Sequence, residues 1–200
     1  MGHEYLIEKR LRALDPQLHS QYKNCVVVSN QMLSRYQSIF PEYTDHSTLH
    51  TLEIVDTCNA LIGEQIDRLT ADDLYVLLMG ALFHDVGMGI SEKDFCSFYG
   101  ENFSAEAGHV SKEELQELIR KNHHELSGWF LKKYWRVFDI PNDAYAKAII
   151  QVCRGHRKTN LLDPVEFPEA FFVAERRSVA LPYLAALVRL ADELDIAADR

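Results

Sequence analysis

The chain has no Cys-x-x-Cys pair; its four cysteines, Cys25, Cys58, Cys96 and Cys153, are widely scattered. Such scatter fits free thiols in a reducing compartment rather than a disulfide framework. No apolar run approaches the length of a membrane span. The opening "MGHEYLIEKRLRAL" is charged and amphipathic where a secretory signal would need an uninterrupted apolar stretch. Leu6 stands where an N-myristoylated chain carries Ser or Thr. Repeats, low-complexity tracts and linkers are missing as well. Basic charge is in short supply: 21 Lys and Arg stand against 30 Asp and Glu, a net charge of −9. Phosphate backbones want a basic surface, so gripping nucleic acid is disfavoured as a main task. These absences leave a soluble, cytoplasmic chain with no membrane partner.

What remains is long enough for one domain with a real core: 200 residues, 47% hydrophobic and 26% charged. Apolar spacing is helical almost throughout, which predicts an all-α fold of about seven helices. "EYLIEKRLRAL" and "CVVVSNQMLSRYQSIF" read as opening helices, the second stopped by Pro41. "TDHSTLHTLEIVDTCNALIG" follows, with Thr44 or Asp45 as N-cap and Gly63 as its stop. "TADDLYVLLMGALFHD" opens on a capping-box pattern at Thr70 and runs to "VGMG". "SKEELQELIRKNHHELSGWFLKKYW" opens on another, Ser111 to Glu114. "PNDAYAKAIIQVCRGH" has Pro141 at its start and Gly155 at its end. The last helix is "LPYLAALVRLADELDIAADR"; before it, the β-like "FFVAE" suggests one short hairpin near 165–177. The division expected is N-terminal helices over 1–43 and a core over 44–195 within one domain. The helical pattern runs out at Arg200 with no tail, as in a domain excised from a longer polypeptide.

Nine histidines break the blandness. Those lying with acids on or beside apolar helix faces are His46, His50, His84 with Asp85, His123, His124, His156 and Asp192. An acid amid apolar residues, as Asp192 is, costs stability unless paired or metal-bound. Imidazole and carboxylate donors without thiol suit Mn, Fe, Co, Ni or Zn, with Mg also open. Six protein ligands exceed the need of one tetrahedral ion and suit two, bridged by a carboxylate. Two such ions activate water and clamp a phosphoryl group. His3, His19 and His109 read as ordinary surface residues, and Glu125 as a surface charge rather than a general acid. Asp195 and Asp199 read as solvated or paired with Arg189 and Arg200. In "WFLKKYW", Trp129, Tyr134 and Trp135 read as core or a domain contact before a base-stacking platform.

The order His50, His84-Asp85, His123, His156, Asp192 resembles the HD-domain superfamily of metal-dependent phosphohydrolases. The segments that carry the likeness are "DHSTLHTLEIV", "LFHDVGMG", "RKNHHELSG", "CRGH" and "LVRLADELD", from about Thr44 to Asp195. Local wording is similar to HD domains of CRISPR-associated helicase-nucleases and of HD–GHKL ATPase fusions. The resemblance implies a compact HD-type bundle with His50, His84, Asp85 and Asp192 at a first metal site. It implies that Asp85 bridges to a second ion held by His123 and His156. His123 is preferred to His124 because "R-x-x-H-x-x-x-S" sets Arg120 and Ser127 in family-like positions; His124 remains the alternative, and both can line the site. His46 is a weaker candidate, as cap or support of a ligand.

The implied activity is cleavage of a phosphoester or phosphoanhydride bond, of a nucleotide-type substrate, by a metal-activated bridging hydroxide. Asp85, His84, Arg120 and Arg157 are the residues expected to carry it. The sequence departs from the family at Met88, where many members have lysine. A cation for substrate phosphate must then come from Arg120, Arg154, Arg157, Lys158 or Arg189. Two alternatives stand beside this reading: a metal-dependent single-strand nuclease, and a non-catalytic metal- or nucleotide-sensing domain serving a fused or partner ATPase.

Overall fold

The computed structural model describes residues 5–33, 48–102, 112–157 and 159–198. Eight α-helices appear among them: α1 (Leu6–Leu14), α2 (Pro16–Leu33), α3 (Thr48–Ile62), α4 (Ala71–Phe83), α5 (Glu92–Asn102), α6 (Lys112–Tyr134), α7 (Asp143–Gly155) and α8 (Leu181–Ala198). A two-stranded antiparallel hairpin, β1 (Phe171–Ala174) and β2 (Arg177–Val179), is the sheet structure described. The all-α expectation holds, hairpin included. Pro41, the caps at Thr44 or Asp45, and Ser111 lie outside the described residues.

The centre of the molecule is α4. Thr70 caps it in the expected box: its hydroxyl accepts from the Asp73 amide at 3.1 Å, and the Asp73 carboxylate accepts from the Thr70 amide at 3.1 Å. Every residue from Asp72 to Phe83 is buried, so this helix shows no polar face. A helix apolar on all sides belongs inside. It is surrounded by α1, α2, α3, α7 and α8. Each of these turns one stripe inward: Ile7 and Leu11 from α1, Ile54, Val55, Cys58 and Ile62 from α3, Ile149, Val152 and Cys153 from α7. From α8 come Leu181, Leu184, Ala185, Val188, Ala191 and Asp192. The last name is polar, and it marks where the core gives way to chemistry.

Two helices differ from the sequence expectation. α2 starts at Pro16, well before Cys25, because Asp15 caps it: Asp15 Oδ1 accepts from the amides of Gln17 and Leu18, both at 3.0 Å. The intervening "PQLHSQYKN" hides its periodicity, since Leu18, Tyr22, Cys25 and Ser29 are the helix's buried positions among the described residues. The second is α5, for which no helix was expected. Ser91 opens it, accepting from the Asp94 amide at 3.1 Å and donating to the Asp94 carboxylate at 2.7 Å.

Two polar ties hold the periphery. Asp72 at the start of α4 accepts a bidentate pair from Arg177 of β2 and the hydroxyl of Tyr145 from α7. Asn142, rather than Pro141, caps α7, its side chain accepting from the Tyr145 amide at 3.0 Å. α3 ends where expected: Gly63 sits at φ +50°, a left-handed conformation that glycine adopts without a Cβ penalty. No single helix among the described residues is long and apolar enough to cross a membrane.

Candidate metal centre

His84 and Asp85 follow the last residue of α4. On a continuing helix their side chains would diverge by about 100°. Instead His84 keeps helical dihedrals while Asp85 turns out at φ −106°, ψ 7°. The chain then tightens into a 3₁₀ turn over Val86–Gly89, which brings both side chains to one place: His84 Nε2 lies 3.6 Å from Asp85 Oδ2.

The turn is clamped against α6. Ser127 Oγ donates to the His84 carbonyl at 2.7 Å and accepts from the Gly87 amide at 2.9 Å. A Cβ on Gly87 would stand 2.3 Å from the His123 carbonyl oxygen and 2.7 Å from the Ser127 amide nitrogen. Glycine is therefore required here by close approach of two backbones, not by φ.

Four other residues arrive on other elements: His50 on the first turn of α3, His123 inside α6, His156 just past α7, and Asp192 on α8. All six side chains are buried, with 1 to 6% of each residue exposed. They form two sets that share Asp85. Around its Oδ2, His50 Nε2 and His84 Nε2 are 3.3 Å apart, and Asp192 Oδ1 lies 3.5 Å from the first and 3.8 Å from the second. Around its Oδ1, His123 Nε2 stands at 3.3 Å, His156 Nε2 at 3.6 Å, and the two nitrogens are 3.0 Å apart. Donors bound to one ion at about 2.0–2.1 Å stand about 2.9–3.4 Å from one another. The His123–His156 pair and the His50–His84 pair match that spacing, whereas the set around Oδ2 is wider, with His50 Nε2 4.0 Å from Asp85 Oδ2.

The hydrogen bonds on the far side of each ring fix what faces inward. His84 Nδ1 donates to the Ala81 carbonyl at 2.8 Å, His123 Nδ1 to the Arg120 carbonyl at 2.7 Å, and His156 Nδ1 to the Cys153 carbonyl. Each is the carbonyl three residues back. His50 Nδ1 instead meets the Asp195 carboxylate at 2.7 Å. With Nδ1 as the N–H, the Nε2 atoms of His84, His123 and His156 present lone pairs to the interior. Two lone pairs 3.0 Å apart repel unless something electrophilic lies between them. Joining His123 to His156 by a hydrogen bond would need one of these two rings protonated on both nitrogens, which burial opposes in each. A cation between them would remove that conflict, and His50 with His84 and Asp85, and Asp85 with His123 and His156, are groups that could hold a metal ion.

The electrostatics divide the two sets. Burial pushes His50 down, but Asp192, Asp85 and Asp195 outweigh it and hold the imidazole up at about 9. Burial would raise Asp192, yet the His50 hydrogen bond and nearby His84 keep it below the usual carboxylate range. In the other set burial wins: His123 is lowered and His156 lowered further, with Asp85 opposing in both cases. Three carboxylates thus surround the buried His50 ring, Asp85 and Asp192 on its Nε2 side and Asp195 on its Nδ1 side, an environment that favours positive charge.

His124 is half-buried and set back from this cluster, its ring centroid 5.8 Å from that of His123 and 6.4 Å from that of His156. Burial, then His123, lower its imidazole to about 4, so it is neutral at pH 7. Its Nδ1 is buried with no hydrogen-bond partner among the described residues. A third group, His50 with Glu53 and Asp195, shares the outer face of His50. There the 2.7 Å contact is hydrogen-bond length, shorter than an ion's two donors keep.

The cations sort clearly. Arg154 is bound to Glu125 by its Nε and to Gln151, and Arg189 to the Gly155 and Thr159 carbonyls. Both are structural ties, unsuited to phosphate. Arg120 is exposed and contributes its carbonyl to His123. Arg157, half-buried, lies close enough to His123 and His124 to depress both. His3, His46, His109, Lys158 and Asp199 lie outside the described residues. Trp129 packs edge-on against Phe98 under Lys133, as a core-edge residue does. Asp195, read from the sequence as solvated or paired with an arginine, instead meets His50; its signal was its place three residues beyond Asp192, on the same face of α8.

The family model described as HD-CE matches residues 40–200. No match was found among curated proteins or among solved structures.

Proposed function

The chain belongs to the HD-CE family, an HD-type family, and on that premise we propose that it is a metal-dependent phosphohydrolase acting on a phosphoester or phosphoanhydride bond of a nucleotide-type substrate. The observation that carries the reading is Asp85, whose two oxygens face different imidazole pairs: Oδ2 toward His50 and His84, Oδ1 toward His123 and His156. A carboxylate so placed could serve two ions at once, the arrangement that two-metal phosphoryl transfer employs.

His50, His84, Asp85 and Asp192 would hold one divalent ion; Asp85, His123 and His156 a second. The donor set suits Mn, Fe, Co, Ni or Zn, with Mg less favoured by imidazole. Bound there, such ions supply Lewis acidity toward a phosphoryl oxygen and an activated water. The protein's own part is to orient and to exclude. The Nδ1 hydrogen bonds fix each ring, and the buried walls keep bulk water from screening the charges. Arg157, beside the His123 set, is the cation best placed for a substrate phosphate oxygen, replacing the lysine absent at Met88.

The test is a panel: purified protein with Mn, Ni, Co or Mg is offered a generic phosphodiester, a phosphomonoester and a set of nucleotides, with metal analysis alongside. Hydrolysis is expected, and Asp85→Ala should abolish it while depleting both ions. Unchanged metal content and turnover in that variant would overturn the site assignment. Silence across the whole panel with ions bound would overturn the enzymatic reading.

A further inference from the structure

Among the four histidines that converge here, His50 is held differently from the rest. His84, His123 and His156 each lean on a main-chain carbonyl of their own helix, three residues back. Those carbonyls are fixed by the helices that carry them. His50, on α3, leans on the Asp195 carboxylate of α8 at 2.7 Å, across 145 residues of chain. The same face of α8 also carries Asp192, whose Oδ1 is 3.5 Å from the other ring nitrogen, Nε2. One helix therefore grips this imidazole at both ends. The three-residue spacing of Asp192 and Asp195 is what lets it do so, since side chains at i and i+3 stand one above the other.

We propose that Asp195 is a positioning residue for metal capture: it fixes the tautomer and orientation of His50, so that the affinity of the His50–His84–Asp85–Asp192 set depends on the docking of α8. A carboxylate behind a ligating imidazole fixes the ring's tautomer and orientation and strengthens it as a donor, and losing such a partner costs about 10–100-fold in affinity. At His123 and His156 the partners of Nδ1 among the described residues are main-chain carbonyls. The two sets thus differ in kind, one supported by a charge from another helix and one by backbone.

This inference rests on the metal-binding reading above, and one titration separates the two. Wild-type protein, Asp195→Asn and Asp195→Ala are stripped with chelator and titrated with Co(II). Stoichiometry and affinity are read by calorimetry, ligand geometry by the visible d–d bands, and folding by circular dichroism. The Asp195→Asn side chain carries no charge, but its amide oxygen still accepts from Nδ1, so this variant should keep most of the affinity. Asp195→Ala should weaken one equivalent by about 10–100-fold with altered d–d bands, while the other equivalent keeps its wild-type affinity. A wild type that takes up no Co(II) overturns the metal centre itself. A wild type that binds normally, with a folded Asp195→Ala matching it at every equivalent, overturns only the role of Asp195. Loss of a separate, third equivalent would make Asp195 a ligand and overturn it equally. Equal loss in the two variants would show that charge alone matters, against positioning.

Discussion

Asp85 and its neighbours show how a few titratable groups set the pH behaviour of the metal-free protein. His50 is raised to about 9 against an ordinary value of about 6.5. A raised imidazole stabilises the fold fully below about 6.5 and loses that contribution as pH climbs through about 9. His123, His124 and His156 are lowered, so theirs is present above about 6.5 and lost as pH falls toward their folded values. Thermal midpoints in chelator should therefore fall on both sides of neutrality, with the alkaline loss spread over about pH 6.5 to 9. His50→Gln should flatten the alkaline limb and leave the acid one. A midpoint that rises steadily to about pH 9 in the parent protein would contradict the charge state assigned to His50. At this scale the sequence was readable where types were rare and placement unusual: an imidazole or acid on an apolar face. Asp195 was not, because an acid near the end of an amphipathic helix looks the same whether it meets water or a ring from another helix.

At the scale of elements, the 3₁₀ turn after α4 is the piece on which both sets depend. Gly87 has no room for a methyl group, and its obstacles are the backbone of α6 rather than movable side chains. Gly87→Ala should cost about 1–3 kcal/mol in urea denaturation. It should also push α6 outward, weakening metal binding at the proposed His123–His156 set. A variant with wild-type stability and metal affinity would mean the close approach is not rigid. The sequence announced this element well, since "LFHDVGMG" couples an apolar run to an abrupt stop. α5 and the start of α2 went unread for a common reason. Their capping signals, Ser91 with Asp94 and Asp15 with Pro16, were present, but too few apolar residues followed to show a period. In α5 Phe95 and Phe98 are the buried positions described, and glycine and asparagine near its end are poor helix formers. Capping chemistry is local and survives where periodicity is thin.

For the whole molecule, ion binding at this centre would be linked to folding, because the donors are gathered only in the native state. A ligand that binds the folded chain alone adds about 2.7 kcal/mol at a hundredfold excess over its dissociation constant. Saturating Mn or Co should raise the thermal midpoint, and chelator should reverse the gain. Indifference of the midpoint to both would argue against a native-state metal centre. The all-α class followed from spacing alone, since helical periods and caps recur along most of the chain. Which helices meet did not follow: that α4 lies at the centre is fixed by its having no polar face, whereas the pairing of α3 with α8 emerges only in three dimensions.

The donors come from five places in the chain, His50, the His84-Asp85 pair, His123, His156 and Asp192, each on a different helix or just beyond one. No two neighbouring helices can assemble the centre by themselves. Bound ion is then a census of fully assembled molecules: a chain with any one of these segments undocked still has helices and much of its core, but drops out of the count. Metal content per chain would register partial opening that circular dichroism, averaging over helices, passes over.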